Sequence, residues 1–199
     1  MTASEPDELL VRRFQDGSSD AFETLVQRHS TRVYNLCLRI LGDAEEAADA
    51  SQDTFLAALR KLSSFRGDAA FTTWLHRVAV NACYDSLRKK RRRPMLQLAP
   101  GEGDEPPEPS LPAPDHAEGV VFSVDVAQAL TQVPEEFRVV LVLADVQDLP
   151  YEEIAAVLEI PVGTVKSRVF RGRAALGKAL GVTRGGEPSG ASRTSEEEA

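Results

Sequence analysis

Cysteine, histidine and tryptophan are scarce in this 199-residue chain, which holds two, three and one of them. Cys37 and Cys83 fall on helical apolar stripes with no His or Cys at ligand spacing, so buried free thiols are expected rather than a disulfide or a zinc site. A Walker loop, zinc spacing and a nucleophilic triad are missing as well, so neither an enzyme nor a metal or cofactor site is expected. No apolar run approaches the roughly 18 residues that a membrane span needs, and the N-terminus has no signal-peptide pattern. A cytoplasmic protein without membrane insertion is expected. Strand patterning is also lacking, and the periodicity is helical nearly throughout, which predicts an all-α fold.

What is present is charge, unevenly spread. The chain carries a formal net charge of -8, yet residues 1–93 net +2. Residues 94–121 hold six acids and no cation, while 122–182 and 183–199 net -2 each. Seven of the 28 residues of 94–121 are proline, and such a composition cannot bury a core. The expected organisation is an N-terminal helical domain, 1–93, an extended acidic linker, 94–121, a C-terminal helical domain, 122–182, and a polar tail, 183–199.

Helix punctuation is explicit in the first segment. Ser4-x-x-Asp7 can cap a short helix that Gly17 ends, Ser19 can open a long one closed by Gly42, and Asp43-x-x-Glu46 can cap a third reaching Ser63–Ser64. A fourth helix is expected from about Thr72 to Arg92, before Pro94, and the four should pack as one bundle. The stretch FRGDAAFTTWLHRVAVNACYDSLRKKRRR combines a loop rich in aromatics and Gly with a helix ending in six consecutive cations, Arg88–Arg93. Six cations exceed what a helix dipole invites, and non-specific phosphate binding accounts better for them. His76 is expected to be a surface residue with no special role.

In the second segment, Pro134 should start a helix with Phe137, Val140, Leu141 and Leu143 turned inward. Tyr151–Leu158 reads as a short second helix, Glu159–Gly163 as a turn and Thr164 onward as a third, which together make a helix-turn-helix. Pro161–Val182 holds five cations and no acid. Lys166, Ser167, Phe170 and Arg171 share one helical face suited to base edges, thymine methyl groups and phosphates. Gly172 should weaken that helix by about 1 kcal/mol against alanine and loosen its far end.

These motifs in this order, DASQDTF, FRGDAAFTTWLHRVAVNA, then YEEIAAVLEIP and GTVKSRVFRGRAAL, closely resemble the extracytoplasmic-function (ECF) group of bacterial RNA polymerase sigma factors. The resemblance covers nearly everything except the linker and tail. It implies an all-α protein with an N-terminal four-helix sigma domain of the region two type and a C-terminal helix-turn-helix domain of the region four type. It further implies a dissociable initiation subunit whose partners are core RNA polymerase, promoter DNA and an anti-sigma factor, in a stress or envelope response.

By the same resemblance, Asp49, Gln52, Asp53 and Leu56 form the surface for core polymerase, where acids and an amide meet a basic coiled coil. Phe55, beside them, reads equally as core packing. The minus-ten element falls to Phe65, Arg66, Gly67, Asp68, Phe71, Arg77, Asn81 and Arg88, with the loop forming a pocket for an extruded base. Trp74 reads either as core or as a stacking platform. The minus-thirty-five element falls to Thr164, Lys166, Ser167, Arg168, Phe170 and Arg171. The acidic linker can mimic nucleic acid inside the polymerase channel. A response-regulator output domain, a recombinase and a plain adaptor are the rival readings; they need an α/β receiver, strands with an early nucleophile, or idle basic faces.

Overall fold

The computed structural model describes residues 5–92 and 124–181, and every regular element among them is helical. The expected linker, 94–121, and tail, 183–199, lie outside the described residues.

Four helices form the first group: α1 Asp7–Gln15, α2 Ser19–Leu41, α3 Ala44–Leu62 and α4 Phe71–Arg92. Pro6 rather than Ser4 precedes α1, whose Asp7 and Glu8 sit in the first turn and Arg12 and Arg13 in the last, matching the helix dipole. Asp43 caps α3 as its spacing predicts, its carboxylate accepting from the Glu46 N–H at 2.9 Å. Gly42 closes α2 at φ +74°, a left-handed conformation, with its N–H donating to the Leu38 carbonyl at 2.8 Å. The buried stripe of α3 is small, Ala47, Ala50, Thr54 and Ala58, so its neighbours approach closely. Thr54 satisfies its buried hydroxyl by donating to the Ala50 carbonyl at 2.7 Å. Leu25, Val33, Leu36 and Ile40 of α2 meet Phe71, Leu75 and Ala79 of α4 in one core. Cys37 and Cys83 are free, buried thiols. A hydrogen bond from Cys83 to Cys37, with burial second, pushes the Cys83 thiol pKa upward.

The second group contains α5 Val124–Gln132, α6 Glu135–Leu141, α7 Tyr151–Leu158 and α8 Val162–Ala179. A π-helical stretch, Val142–Val146, extends α6. Pro134, Pro150 and Pro161 stand at the N-termini of α6, α7 and α8, where a missing N–H costs nothing. Glu159 turns the chain between α7 and α8 at φ +55° without a glycine, and α8 begins at Val162, two residues before Thr164. The far end of α8 is not loosened by Gly172. That residue is buried, a Cβ there would sit 3.2 Å from the Phe137 carbonyl oxygen, and the helix continues to Ala179. Arg173 fixes the same region with paired bonds to Asp145 at 2.6 and 3.1 Å.

The two groups pack against each other, α2 against α5 and α6, α4 against α7. At the first contact a Cβ on Gly42 would lie 2.4 Å from Thr131 Cγ2 of α5, so glycine is required there twice over. At the second, Thr73 Oγ1 donates to Glu153 Oε2 at 3.0 Å, and Arg77 pairs with Glu159. Arg91 pairs with Glu135 of α6.

This packing buries α4 on more than one side. His76, expected at the surface, is 3 % exposed. Its Nδ1 has no hydrogen-bond partner among the described residues. Burial, with Arg32 and His29 nearby, lowers its pKa from 6.5 to about 4, so it stays neutral at pH 7.

Candidate nucleic-acid interface

The loop between α3 and α4 is held from below by Gln15 of α1. Its side-chain amide donates to the carbonyls of Leu62 at 3.1 Å and Phe65 at 2.9 Å. Gly67 takes φ +77° at the loop tip, leaving Arg66, Gly67 and Asp68 exposed. Behind them the aromatic rings form one cluster: Phe65 lies 5.2 Å from Trp74, and Trp74 5.8 Å from Phe71, centroid to centroid.

These residues enclose a cavity of about 300 Å³, lined by Phe65, Arg66, Asp68, Thr73, Trp74 and Arg77 together with Ala156 of α7. Phe65 and Trp74 are half-buried: each packs on the core and also lines the cavity. Phe71 corrects the expectation. It is 2 % exposed and packed against His29 at 5.5 Å, so it supports the rings from beneath and has no surface for a base. Nothing in the sequence pointed to Thr73 and Ala156, because Thr73 and its α7 partner Glu153 are 80 residues apart.

Down α4, Asn81 and Arg88 are exposed, and Arg88 pairs with Asp85. The basic run is partly neutralised: Lys90 reaches Glu46 at 3.0 Å and Arg91 reaches Glu135. Lys89 and Arg92 have no carboxylate partner among the described residues. Arg93 lies outside them.

On the outer face of α3, Asp49, Gln52 and Asp53 are exposed, and Leu56 is 45 % exposed. Leu59, one turn on, extends this stripe and is 43 % exposed, a position that the three-residue spacing from Leu56 could have disclosed. Phe55 is half-buried against the core.

On α8, Lys166, Ser167, Phe170 and Arg171 are exposed together, and Phe170 is 70 % exposed. Val165 and Val169 point into the core. Thr164 is half-buried, and its carbonyl accepts from the Ser167 hydroxyl at 2.9 Å. Arg168 stands apart from that face: it is half-buried and paired with Glu136 of α6 at 3.2 Å. An exposed aromatic flanked by lysine and arginine on a helix held by a short partner helix has the geometry of a groove-reading element.

Two family descriptions match the chain, "Sigma-70 region 2" over residues 25–93 and "Sigma-70, region 4" over residues 123–176. The RNA polymerase sigma-H factor of Pseudomonas aeruginosa is 40 % identical over 192 residues, covering 90 % of this chain and 96 % of that one. The ECF RNA polymerase sigma-E factor of Escherichia coli K12 is 38 % identical, covering 85 % and 92 %. Sigma factor SigW of Bacillus subtilis is 35 % identical, covering 85 % and 94 %. Among solved structures, CnrH in complex with the cytosolic domain of CnrY superposes with a TM-score of 0.65 at 26 % identity, over 89 % of this chain and 98 % of that one. The fold is also that of the sigma factor RpoE in its complex with the anti-sigma factor NepR from Bartonella quintana, with a TM-score of 0.66 at 24 % identity, over 82 % and 98 % of the two chains. Motif order, helical architecture and identity across almost the whole length agree, and the chain belongs to the ECF family of RNA polymerase sigma factors.

Proposed function

We propose that this protein binds core RNA polymerase, directs it to particular promoters and assists their opening, in a response governed by an anti-sigma factor. The observation that carries this is the coexistence, on one chain, of an aromatic-floored cavity under a glycine loop and an exposed Lys–Ser–Phe–Arg face on a helix-turn-helix. The cavity accepts an unstacked base of the minus-ten element. Arg66 and Asp68 offer hydrogen bonds to its edge, and Phe65 and Trp74 offer ring surface, offsetting a melting cost of a few kcal/mol per nucleotide. Lys166, Ser167, Phe170 and Arg171 read the minus-thirty-five element. Asp49, Gln52, Asp53 and Leu56 hold the polymerase. Phe71 and Arg168 act as supports in this scheme.

Control by an anti-sigma factor is suggested by the sigma factor RpoE, which has the same fold and was solved in complex with the anti-sigma factor NepR. No described helix is long and apolar enough to cross a membrane, consistent with work beside polymerase in the cytoplasm.

Reconstitution with core polymerase tests the reading. The chain alone, with its net charge of -8, should bind promoter DNA poorly, whereas the holoenzyme should initiate at specific promoters. Arg171→Ala should weaken use of particular upstream sequences by about 1–3 kcal/mol per lost base contact. Tight specific binding without core, and no initiation with it, would overturn the assignment.

A further inference from the structure

The helix α1 precedes the segment that matches region 2, residues 25–93, and none of its residues lines the base cavity. Both of its ends nevertheless connect to the cavity's framework. At the C-terminal end, the Gln15 amide donates to two carbonyls three residues apart, Leu62 at 3.1 Å and Phe65 at 2.9 Å. Leu62 is the last residue of α3, so its carbonyl has no acceptor role within that helix. At the N-terminal end, Asp7 bonds His29 Nε2 at 2.8 Å and pairs with Arg28 of α2. The His29 ring lies 5.5 Å from Phe71, the ring that supports Trp74 from 5.8 Å. Leu10 and Val11, buried between the two ends, seat α1 on the core.

The loop that Gln15 holds has little else to fix its course. Residues 66–69 make no backbone–backbone hydrogen bond to a described residue, and Gly67 turns in the left-handed region at their centre. The loop is therefore placed from its two ends. On the α4 side, the Ala70 carbonyl accepts from the Trp74 N–H at 3.1 Å. On the α3 side, the Phe65 N–H returns to Leu62, and Gln15 clamps the carbonyls of those same two residues from a different helix. Any shift of the Phe65 backbone carries its ring, which lies 5.2 Å from Trp74 in the cavity lining. Gln15 is itself exposed, so water can replace its donors at little cost to the fold. What its two bonds supply is a position for Phe65 more than stability.

We propose that Gln15 is a positioning residue for the base cavity: from α1 it sets Phe65 against Trp74, and so how firmly the cavity holds an unstacked base. The inference rests on the sigma-factor reading above and on the cavity assigned there. It gives α1 a part in promoter opening without a contact to DNA.

The test compares holoenzyme made with the wild-type chain, with Gln15→Met and with Val11→Ala. Gln15→Met keeps the side-chain length and removes both donors; Val11→Ala loosens the seat of α1 and leaves the donors in place. Affinity is measured for a pre-melted minus-ten probe and for a set of probes in which each unpaired nucleotide in turn is abasic. The position with the largest wild-type penalty marks the held base. Its removal should weaken wild-type binding by about 5- to 150-fold, the range for stacking on aromatic side chains. In Gln15→Met that penalty should shrink by at least about threefold, the mark of two coupled partners. Core-polymerase affinity and the unfolding midpoint of the chain should stay as in the wild type. An abasic penalty in Gln15→Met equal to that of the wild type would overturn the assignment. An equal reduction in Val11→Ala would also overturn it, tracing the effect to the packing of α1. Absence of any abasic penalty in the wild type would instead remove the base cavity from the sigma-factor reading.

Discussion

His76 sits where a charge would be expensive. It is enclosed by α2 and α4, its ring is neutral at pH 7, and the groups facing it, His29 and Arg32, are themselves bases. His29 is bonded to Asp7, Nε2 to Oδ2 at 2.8 Å. The sign of the pH effect follows from the lowered pKa. Above pH 6.5 His76 is uncharged folded or unfolded, and its full contribution is present. As pH falls from 6.5 toward 4 the unfolded chain takes up the proton first, and stability is lost. The interval from 6.5 to about 4 corresponds to about 3 kcal/mol. Denaturant unfolding followed at several pH values should show that loss in the wild type and a clearly flatter profile in His76→Phe. Equal acid losses in both would assign the effect to another group. His76 was hard to read from sequence because it lies between exposed Arg77 and the Leu75 stripe; only the helices packed against α4 decide which side it faces. Phe71 shows the same thing in reverse: its place at the edge of a basic, aromatic loop suggested contact with DNA, and its rings-inward packing makes it a support.

At the scale of the element, α3 works because its two faces differ in kind. Its buried side is alanine and threonine until Leu62 in the last turn, which lets α2 and α4 close in. Its outer side keeps Asp49, Gln52, Asp53 and Leu56 free. Converting Gln52 and Asp53 to lysine changes nothing in that packing, so helicity and unfolding midpoint should hold. Against a basic partner surface, however, like charges meet, at a cost of several kcal/mol. Core-polymerase affinity should therefore fall by at least tenfold, and less so at high salt; unchanged affinity at low salt would place the polymerase surface elsewhere. Elements of this kind were legible in the sequence because their ends are written in local chemistry. Asp43 with Glu46, Gly42, Pro134 and the prolines ahead of α7 and α8 each fix a boundary through one backbone group. The interior of α8 was less legible. Gly172 reads locally as a weak point, yet the close approach of α6, with the Phe137 carbonyl 3.2 Å from a would-be Cβ, makes the glycine a packing requirement. Likewise Arg168 shares the helix with the exposed basic residues but turns to Glu136, which no periodicity within α8 foretells.

Across the whole molecule, the base cavity is partly closed by the other half of the chain. Ala156 of α7 lines its wall, Glu153 takes the Thr73 hydroxyl, and Glu159 takes Arg77, one of the residues proposed to meet the minus-ten DNA. Asp49, Gln52, Asp53 and Leu56 of α3 and Lys166, Ser167, Phe170 and Arg171 of α8 stay exposed in this arrangement. If the cavity takes a minus-ten base as proposed, α7 competes for part of its wall, and the apparent affinity of the free chain is lowered by the fraction that is closed. The two polar contacts are partly exposed, so each contributes at most about 1 kcal/mol, and the rest of the closure is apolar packing. Glu153→Gln with Glu159→Gln should raise the open fraction accordingly. Binding of the free chain to a single-stranded minus-ten oligonucleotide should tighten by up to about tenfold, together with an increase in the radius seen by small-angle scattering. Because the variant also loses two negative charges, Glu45→Gln with Glu152→Gln, both exposed and outside the contact, serves as the charge-matched control. Holoenzyme made with the two variants should bind promoter alike if core polymerase holds the two halves apart. Equal tightening in the control would trace the gain to net charge alone, and α7 would then be no barrier to the cavity.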